Sequence, residues 1–253
     1  MAFDMEDPLN RDELAVQQEK TLLLNFWGTR TGAFIEAGAN HPVLGSQSYP
    51  LAQRGWTGIL VEPQRKFHPL LIAQRPEAYI VHAACTAKDT GEVLKLHIPS
   101  HDGLATLLPN QDEPDVVYDS VETVPTRTLD SIVDEWRRVT GTTVPIRFLS
   151  LDVEGYELEV LRGFSLQRHL PDLVLIEDKL ADLSKHRHLV SQGYKLVRRT
   201  SVNNWYIPRS HRAPSRSVGE IVRLYNKVFW GLPFRQMRRR RKAARLAQAK
   251  TRT

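Results

Sequence analysis

Residues 33–63 read AFIEAGANHPVLGSQSYPLAQRGWTGILVEP, and this stretch decides the fold. A short apolar run, Ala33-Phe34-Ile35, gives way to a turn rich in Gly, Asn and Pro. A helix is expected near Gln47–Arg54, and then a second apolar run, Thr57–Val61, stopped by Glu62-Pro63. Strand, helix and strand in so few residues imply two parallel strands joined by a crossover. The alternation continues outward. The pattern predicts a helix over Lys66–Gln74, a strand over Tyr79–Ala83 and a strand over Val93–Ile98. Residues 91–125 are otherwise irregular, with a Pro-bounded loop at 109–114. Apolar residues at 129, 132, 133, 136 and 139 then mark a helix over Leu129–Val139. Ile146–Leu151 reads as a strand, Tyr156–Gly163 as a helix and Leu173–Ile176 as a strand. Lys195–Arg199 and Trp205–Ile207 form a hairpin candidate across residues 202–204. Upstream, residues 6–26 read as an amphipathic helix with Leu14, Leu22, Leu23 and Phe26 inward. The expected architecture is α/β: a mostly parallel sheet with helices on both faces and a terminal antiparallel pair.

The whole chain has 253 residues, 41% of them hydrophobic, enough for one large domain with a substantial core. A single cysteine, Cys85, excludes an internal disulfide and a Cys-based zinc site, and suits a reducing compartment. The N-terminus is acidic, without the apolar stretch of a secretory signal, and no run of ~18 apolar residues occurs, so a cytoplasmic location is expected. The net charge of +6 is uneven. Residues 221–253 carry eleven Lys and Arg and no Asp or Glu, so the rest of the chain is at −5. An acidic body and a basic tail need separate explanations.

In open α/β sheets, ligands bind beyond the carboxyl ends of the strands. After the first strand come Glu36-Ala37-Gly38-Ala39-Asn40, and the second strand ends in Glu62, 24 residues beyond Gly38. Gly38 allows backbone and ligand to approach closely. An acidic residue at that distance accepts hydrogen bonds from the ribose hydroxyls of an adenosine cofactor. The G-x-G-x-x-G cradle for a pyrophosphate is missing, since Asn40 stands at the second glycine. Glu36 would repel a diphosphate but suits a cation, such as the sulfonium and ammonium of S-adenosylmethionine. A turn glycine with a surface glutamate is the bland alternative.

These segments carry a resemblance. FIEAGANHPVLGSQS, GWTGILVEP, AACTAKDTG, TRTLDSIVDE, FLSLDVEGYELEVLRGF and LVLIED resemble, in order and spacing, the FkbM-type methyltransferase family over residues 32–208. The resemblance implies a Rossmann-like class I methyltransferase fold, S-adenosyl-L-methionine as cofactor and O-methylation, often of sugars or glycolipids. Position by position, it implies that Glu36, Gly38 and Asn40 line the methionine end of the cofactor, with Ser46 starting the next helix close by. Glu62 would hold the ribose, the segment with Ala84 would border the adenine, and Asp152 would sit near the sulfonium. His41-Pro42 after the GAN triplet is a departure from the family pattern.

A second acidic group, Asp152, Glu154 and Glu177 with Asp178, follows two adjacent strands. Three uses stay open. Asp152, Glu177 and Asp178 are candidate ligands for a divalent cation such as Mg2+, which would acidify a substrate hydroxyl. One of Asp152, Glu154 and Glu177 is otherwise a candidate general base. The third reading has Asp152 capping the helix at Tyr156. His41, His82 and His101 are further candidate bases, although His82 lies in a strand pattern and reads as a packed residue.

Beyond the hairpin, Val218, Ile221, Val222, Tyr225, Val228, Phe229 and Leu232 recur at helical spacing up to Pro233, followed by the basic block Arg238–Lys242. Such a tail fits an anionic membrane surface, RNA phosphates, or a docked helix with a solvated end. The chain is thus expected to divide into an N-terminal helical segment (1–31), a methyltransferase domain (32–208) and the tail (209–253). The expected acceptor is a sugar hydroxyl, on a glycolipid or polysaccharide if the tail meets a membrane. An RNA-directed enzyme and a non-catalytic binding module are the rivals.

Overall fold

In the computed structural model the described residues are 8–99, 105–108, 117–179, 182–238 and 241. His101, the 109–114 loop, and Arg239, Arg240 and Lys242 of the basic block lie outside them, as does the Leu14 side chain.

Seven strands form the main sheet: β1 (Ala33–Ala37), β2 (Thr57–Val61), β3 (Ala78–Val81), β7 (Ile146–Leu151), β8 (Leu173–Glu177), β9 (Tyr194–Thr200) and β10 (Asn203–Pro208). Their order is β3-β2-β1-β7-β8-β10-β9. The first five are parallel, and β10 runs antiparallel to both β8 and β9. β1, β7 and β8 are central and almost wholly buried, which is why their sequences are continuous apolar runs. Period-two alternation still divides the strands between two core layers. Ala33, Ile35 and Ala37 pack on one side with Leu129, Val133 and Trp136, whereas Phe34 packs on the other with Trp27, Trp56 and Phe148.

The helices form where local chemistry allows. α4 (Leu129–Thr140) is capped by the Thr128 hydroxyl, which accepts from the Ser131 N–H, and stops at Gly141 with φ 66°. It buries Leu129, Ile132, Val133 and Trp136, leaving Val139 exposed, unlike the predicted stripe. α1 (Pro8–Trp27) buries Glu19, Leu23 and Trp27, with Leu22 and Phe26 only half-buried. A carboxylate belongs to that inner face because Thr200 and Asn203 of the terminal hairpin both donate to Glu19.

The irregular reading of 91–125 is corrected by a second, three-stranded sheet: β4 (Ala84–Cys85), β5 (Val93–Pro99) and β6 (Tyr118–Arg127), in the order β4-β6-β5. β6 escaped because half of its residues are exposed and Pro125 lies within it. Among the described residues are also α2 (Tyr49–Ala52), α3 (His68–Gln74), α5 (Glu157–Arg162) and α6 (Leu166–His169). α7 (Ser184–Ser191) and α8 (Val218–Tyr225) follow. Among the described residues, no helix is long and apolar enough to cross a membrane.

Candidate functional site

Strand order reverses at β1, so the chain ends of β1, β2 and β7 diverge there and leave a crevice. A cavity of about 460 Å³ fills it, walled by Glu36, Gly38 and Asn40 after β1, Glu62 after β2, Ala84 of β4, and Asp152 and Glu154 after β7. Leu96 of β5 and Leu107 close another side.

Gly38 is there for the protein's own backbone. Its φ is +84°, and a Cβ on it would lie 1.7 Å from the Asp152 carbonyl oxygen. The expected close approach is therefore between the ends of β1 and β7, beside the cavity. Asn40, at φ 45°, turns its N–H onto Glu62 Oε2 at 2.7 Å, and the Gln64 N–H meets Oε1 at 2.8 Å. Two backbone donors thus fix the Glu62 carboxylate at the cavity wall. Burial nevertheless pushes its pKa up to about 7.

Glu36 borders the cavity while organising the loop around it. Its Oε1 accepts from the Gln47 N–H at 2.7 Å; its Oε2 accepts from Ser46 Oγ at 2.8 Å, the Ser48 N–H and the Ser48 hydroxyl. Ser46 is a correction. Its hydroxyl turns to Glu36, the Tyr49 N–H and Arg75, away from the cavity, and α2 starts three residues later than Ser46. Sequence reasoning missed Arg75, whose side chain is 1% exposed. It donates to the Pro42 carbonyl at 3.0 Å, Ser46 Oγ at 3.2 Å and Ser48 Oγ at 2.9 Å, and pairs with Glu77. A lone arginine in a polar helix end gives no pattern to find it by. His41 Nδ1 accepts from the N–H groups of Val43 and Leu44, so that nitrogen turns the loop. His82 bonds to the Pro63 carbonyl through Nε2. The Cys85 thiol is buried and pushed up to about 12, which leaves it inert.

Asp152, Glu154 and Glu177 do come together: one oxygen from each lies within 4.8 Å of the others. Glu154 (φ 50°) and Gly155 (φ 98°) turn the chain so that Glu154 reaches the group, where Lys179 Nζ meets it at 2.9 Å. Asp152 is open to the water of the cavity yet closely surrounded by protein. That crowding, followed by the Glu177 and Glu154 charges, holds its carboxyl well above the usual range. Glu177 is pushed up to about 7 by burial and then by Glu154. Asp178 corrects the expected metal set: it turns away to Asn204 Nδ2 at 2.9 Å and Lys185 Nζ at 3.3 Å, and Glu154 takes its place. The capping reading of Asp152 also fails, because Tyr156 occupies the N-cap of α5 with no side-chain bond.

A second cavity of about 490 Å³ adjoins the first at Tyr156, which walls both. Its lining is polar: Glu157, Glu159, Glu177, Asp182, Lys179 and Lys185. The carboxylate trio lies between the two spaces.

Among solved structures, magnesium protoporphyrin IX methyltransferase (ChlM) from Synechocystis PCC 6803 with bound SAM is 13% identical, with a TM-score of 0.40, over 78% of this chain and 79% of that one. The METTL16 MTase domain is 12% identical, with a TM-score of 0.38, over 79% of this chain and 65% of its own length. Precorrin-6y C5,15-methyltransferase from Geobacter metallireducens GS-15 is 11% identical, with a TM-score of 0.37, over 76% and 86%. No curated protein sequence matches the chain. The family described as Methyltransferase FkbM domain matches residues 36–196, more than half the chain, including all of β2, β3, β7 and β8. The chain therefore belongs to the FkbM methyltransferase family and is an S-adenosylmethionine-dependent methyltransferase.

Proposed function

We propose that this enzyme O-methylates a hydroxyl of a sugar-like acceptor, with the cofactor in the first cavity and the acceptor in the second. The observation that carries the reading is the carboxylate trio between an adenosyl-sized hollow and a polar one. When bound, S-adenosylmethionine would supply an electrophilic methyl group: an O–C bond to the acceptor would form as the C–S bond breaks, leaving the neutral thioether S-adenosylhomocysteine.

Each residue has a defined part. The Glu62 carboxylate, pre-aimed by the Asn40 and Gln64 N–H groups, receives the ribose hydroxyls. Asp152 would put negative charge beside the sulfonium, and the pair it forms with Glu177 would take up the single proton of the attacking hydroxyl. Burial first, and then mutual repulsion in the trio, raises its proton affinity, as a base working near neutral pH requires. Tyr156 offers a ring face, and Lys179, Lys185 and Asp182 offer hydrogen bonds, which suits a polyol. A divalent cation such as Mg2+ fits the oxygen donors of the trio. The base reading is preferred because Lys179 Nζ already supplies counter-charge to the trio at Glu154.

The test is turnover with a panel of glycosides, comparing wild type, Asp152→Asn and Glu177→Gln, with and without EDTA. Loss of a general base costs about a hundredfold or more in kcat and leaves cofactor affinity within a few-fold in Glu177→Gln. Loss of turnover in EDTA, restored by Mg2+, would replace the base by a metal. Full turnover in both variants would remove the trio from the chemistry.

A further inference from the structure

The basic tail has a built surface. α8 begins with a capping box in which the Ser217 hydroxyl accepts from the Glu220 N–H and the Glu220 side chain accepts from the Ser217 N–H. A π-helix, Asn226–Trp230, follows, and residues 232–238 are again helical. One side is docked: Leu224 and Val228 are buried against Leu183, Leu196 and Phe229, and the His186 ring meets Phe229 edge-on at 5.0 Å.

The other side is apolar and open. Val218, Val222, Tyr225, Trp230, Phe234 and Met237 are exposed, Trp230 by 77% and Phe234 by 67%. They follow in steps of four, three, five, four and three residues. A π-turn holds one residue more than an α-turn, so the step of five across the π segment keeps the row on one face. The spacing goes on in sequence to Arg238 and Arg241, and no acidic residue follows Glu220.

We propose that this face docks on an anionic lipid bilayer, with its aromatic side chains at the headgroup boundary and the cationic run against the lipid charge. Aromatic rings on one face and Lys and Arg beside them, on a helix too polar to span, suit that interface. The positive charge selects an anionic surface over a second copy of this chain, whose same face carries the same sign. If the acceptor occupies the second cavity, as proposed above, docking brings that cavity near the membrane: α7 carries Lys185 on the cavity wall and His186 against Phe229. The docking itself does not depend on that reading.

The test is flotation of the full chain with vesicles of phosphatidylcholine alone or mixed with phosphatidylserine, at low and high salt, without cofactor or acceptor. The double variant Trp230→Ser/Phe234→Ser is compared after its melting temperature and cofactor binding are shown to match wild type. Wild type should float with the anionic vesicles, less so in high salt, and the variant should bind about tenfold more weakly or worse. Those vesicles should also shield Trp230 from acrylamide, a change absent in Trp230→Phe. Undiminished flotation of the variant overturns the proposal. So does a lipid-free dimer that the variant converts to monomer, or retention of RNA with no flotation at all.

Discussion

Replacing Gly38 by alanine tests how the crevice is built. The added Cβ would start 1.7 Å from the Asp152 carbonyl oxygen, so one strand end must retreat by more than about 1 Å to reach ordinary contact. The Asp152 N–H donates to the Ala37 carbonyl at 3.0 Å, and a retreat of that size breaks this bond between β1 and β7. Overpacking costs about 1–3 kcal/mol, left-handed backbone at alanine about 1–2 kcal/mol, and the lost hydrogen bond about 1 kcal/mol. The expected loss is about 3–6 kcal/mol, a large part of the ~5–15 kcal/mol of a natural domain. Gly45 is an internal control. Its φ is +77° and a Cβ there meets nothing within 4 Å, so Gly45→Ala pays the backbone term alone. Urea unfolding of both variants should give Gly38→Ala a midpoint lower than that of Gly45→Ala by about 1 M or more. Equal midpoints would show that the β1–β7 approach is not what requires glycine.

Glu62 makes two pH-dependent predictions. Its carboxyl moves from an ordinary 4.5 to about 7, so its contribution to stability is full below 4.5 and is lost as pH rises through 7. The cofactor-free protein should therefore melt progressively lower from pH 5 to 8, and Glu62→Ala should flatten that slope. Cofactor binding runs the other way: ribose hydroxyls need the ionised carboxylate, so affinity should fall about fivefold between pH 7 and pH 6 in calorimetry of wild type. An affinity indifferent to pH would contradict this. Arg75→Lys keeps the charge but loses the fork that ties Pro42, Ser46 and Ser48. It should destabilise by about 2–4 kcal/mol and raise the cofactor KM, measured by thermal melts and initial rates. Unchanged KM in a stable Arg75→Lys protein would detach the loop from the cofactor site.

The centre of the main sheet could be read from the chain because β1, β2, β7 and β8 are buried on both faces and appear as largely apolar runs. Ile146–Leu151 matches its strand at both ends. β6 could not be read, because an exposed ribbon has no such run and Pro125 lies within it. Spacing put Glu36, Gly38, Asn40, Glu62 and Asp152 at strand ends, and all five border the same cavity. Orientation was beyond reach. Whether Glu154 or Asp178 joins Asp152 depends on a left-handed turn at 154–155, which only Gly155 hints at. Ser46 and Arg75 show the same limit: a polar side chain beside a site is claimed by whichever partner the folded loop brings closest. In the tail, Leu224 is buried and Val222 exposed, because the docking partners Leu183 and Leu196 are far away in sequence.

The central claim is that the hollow between Glu62 and Asp152 takes the adenosyl cofactor. Titration calorimetry of S-adenosylmethionine into wild type and Glu62→Ala, at a pH above 7, tests it most directly. The two hydrogen bonds to a charged group are worth about 1.5 kcal/mol or more each, so the variant should bind about a hundredfold more weakly. Equal affinity in the two proteins would place the cofactor elsewhere.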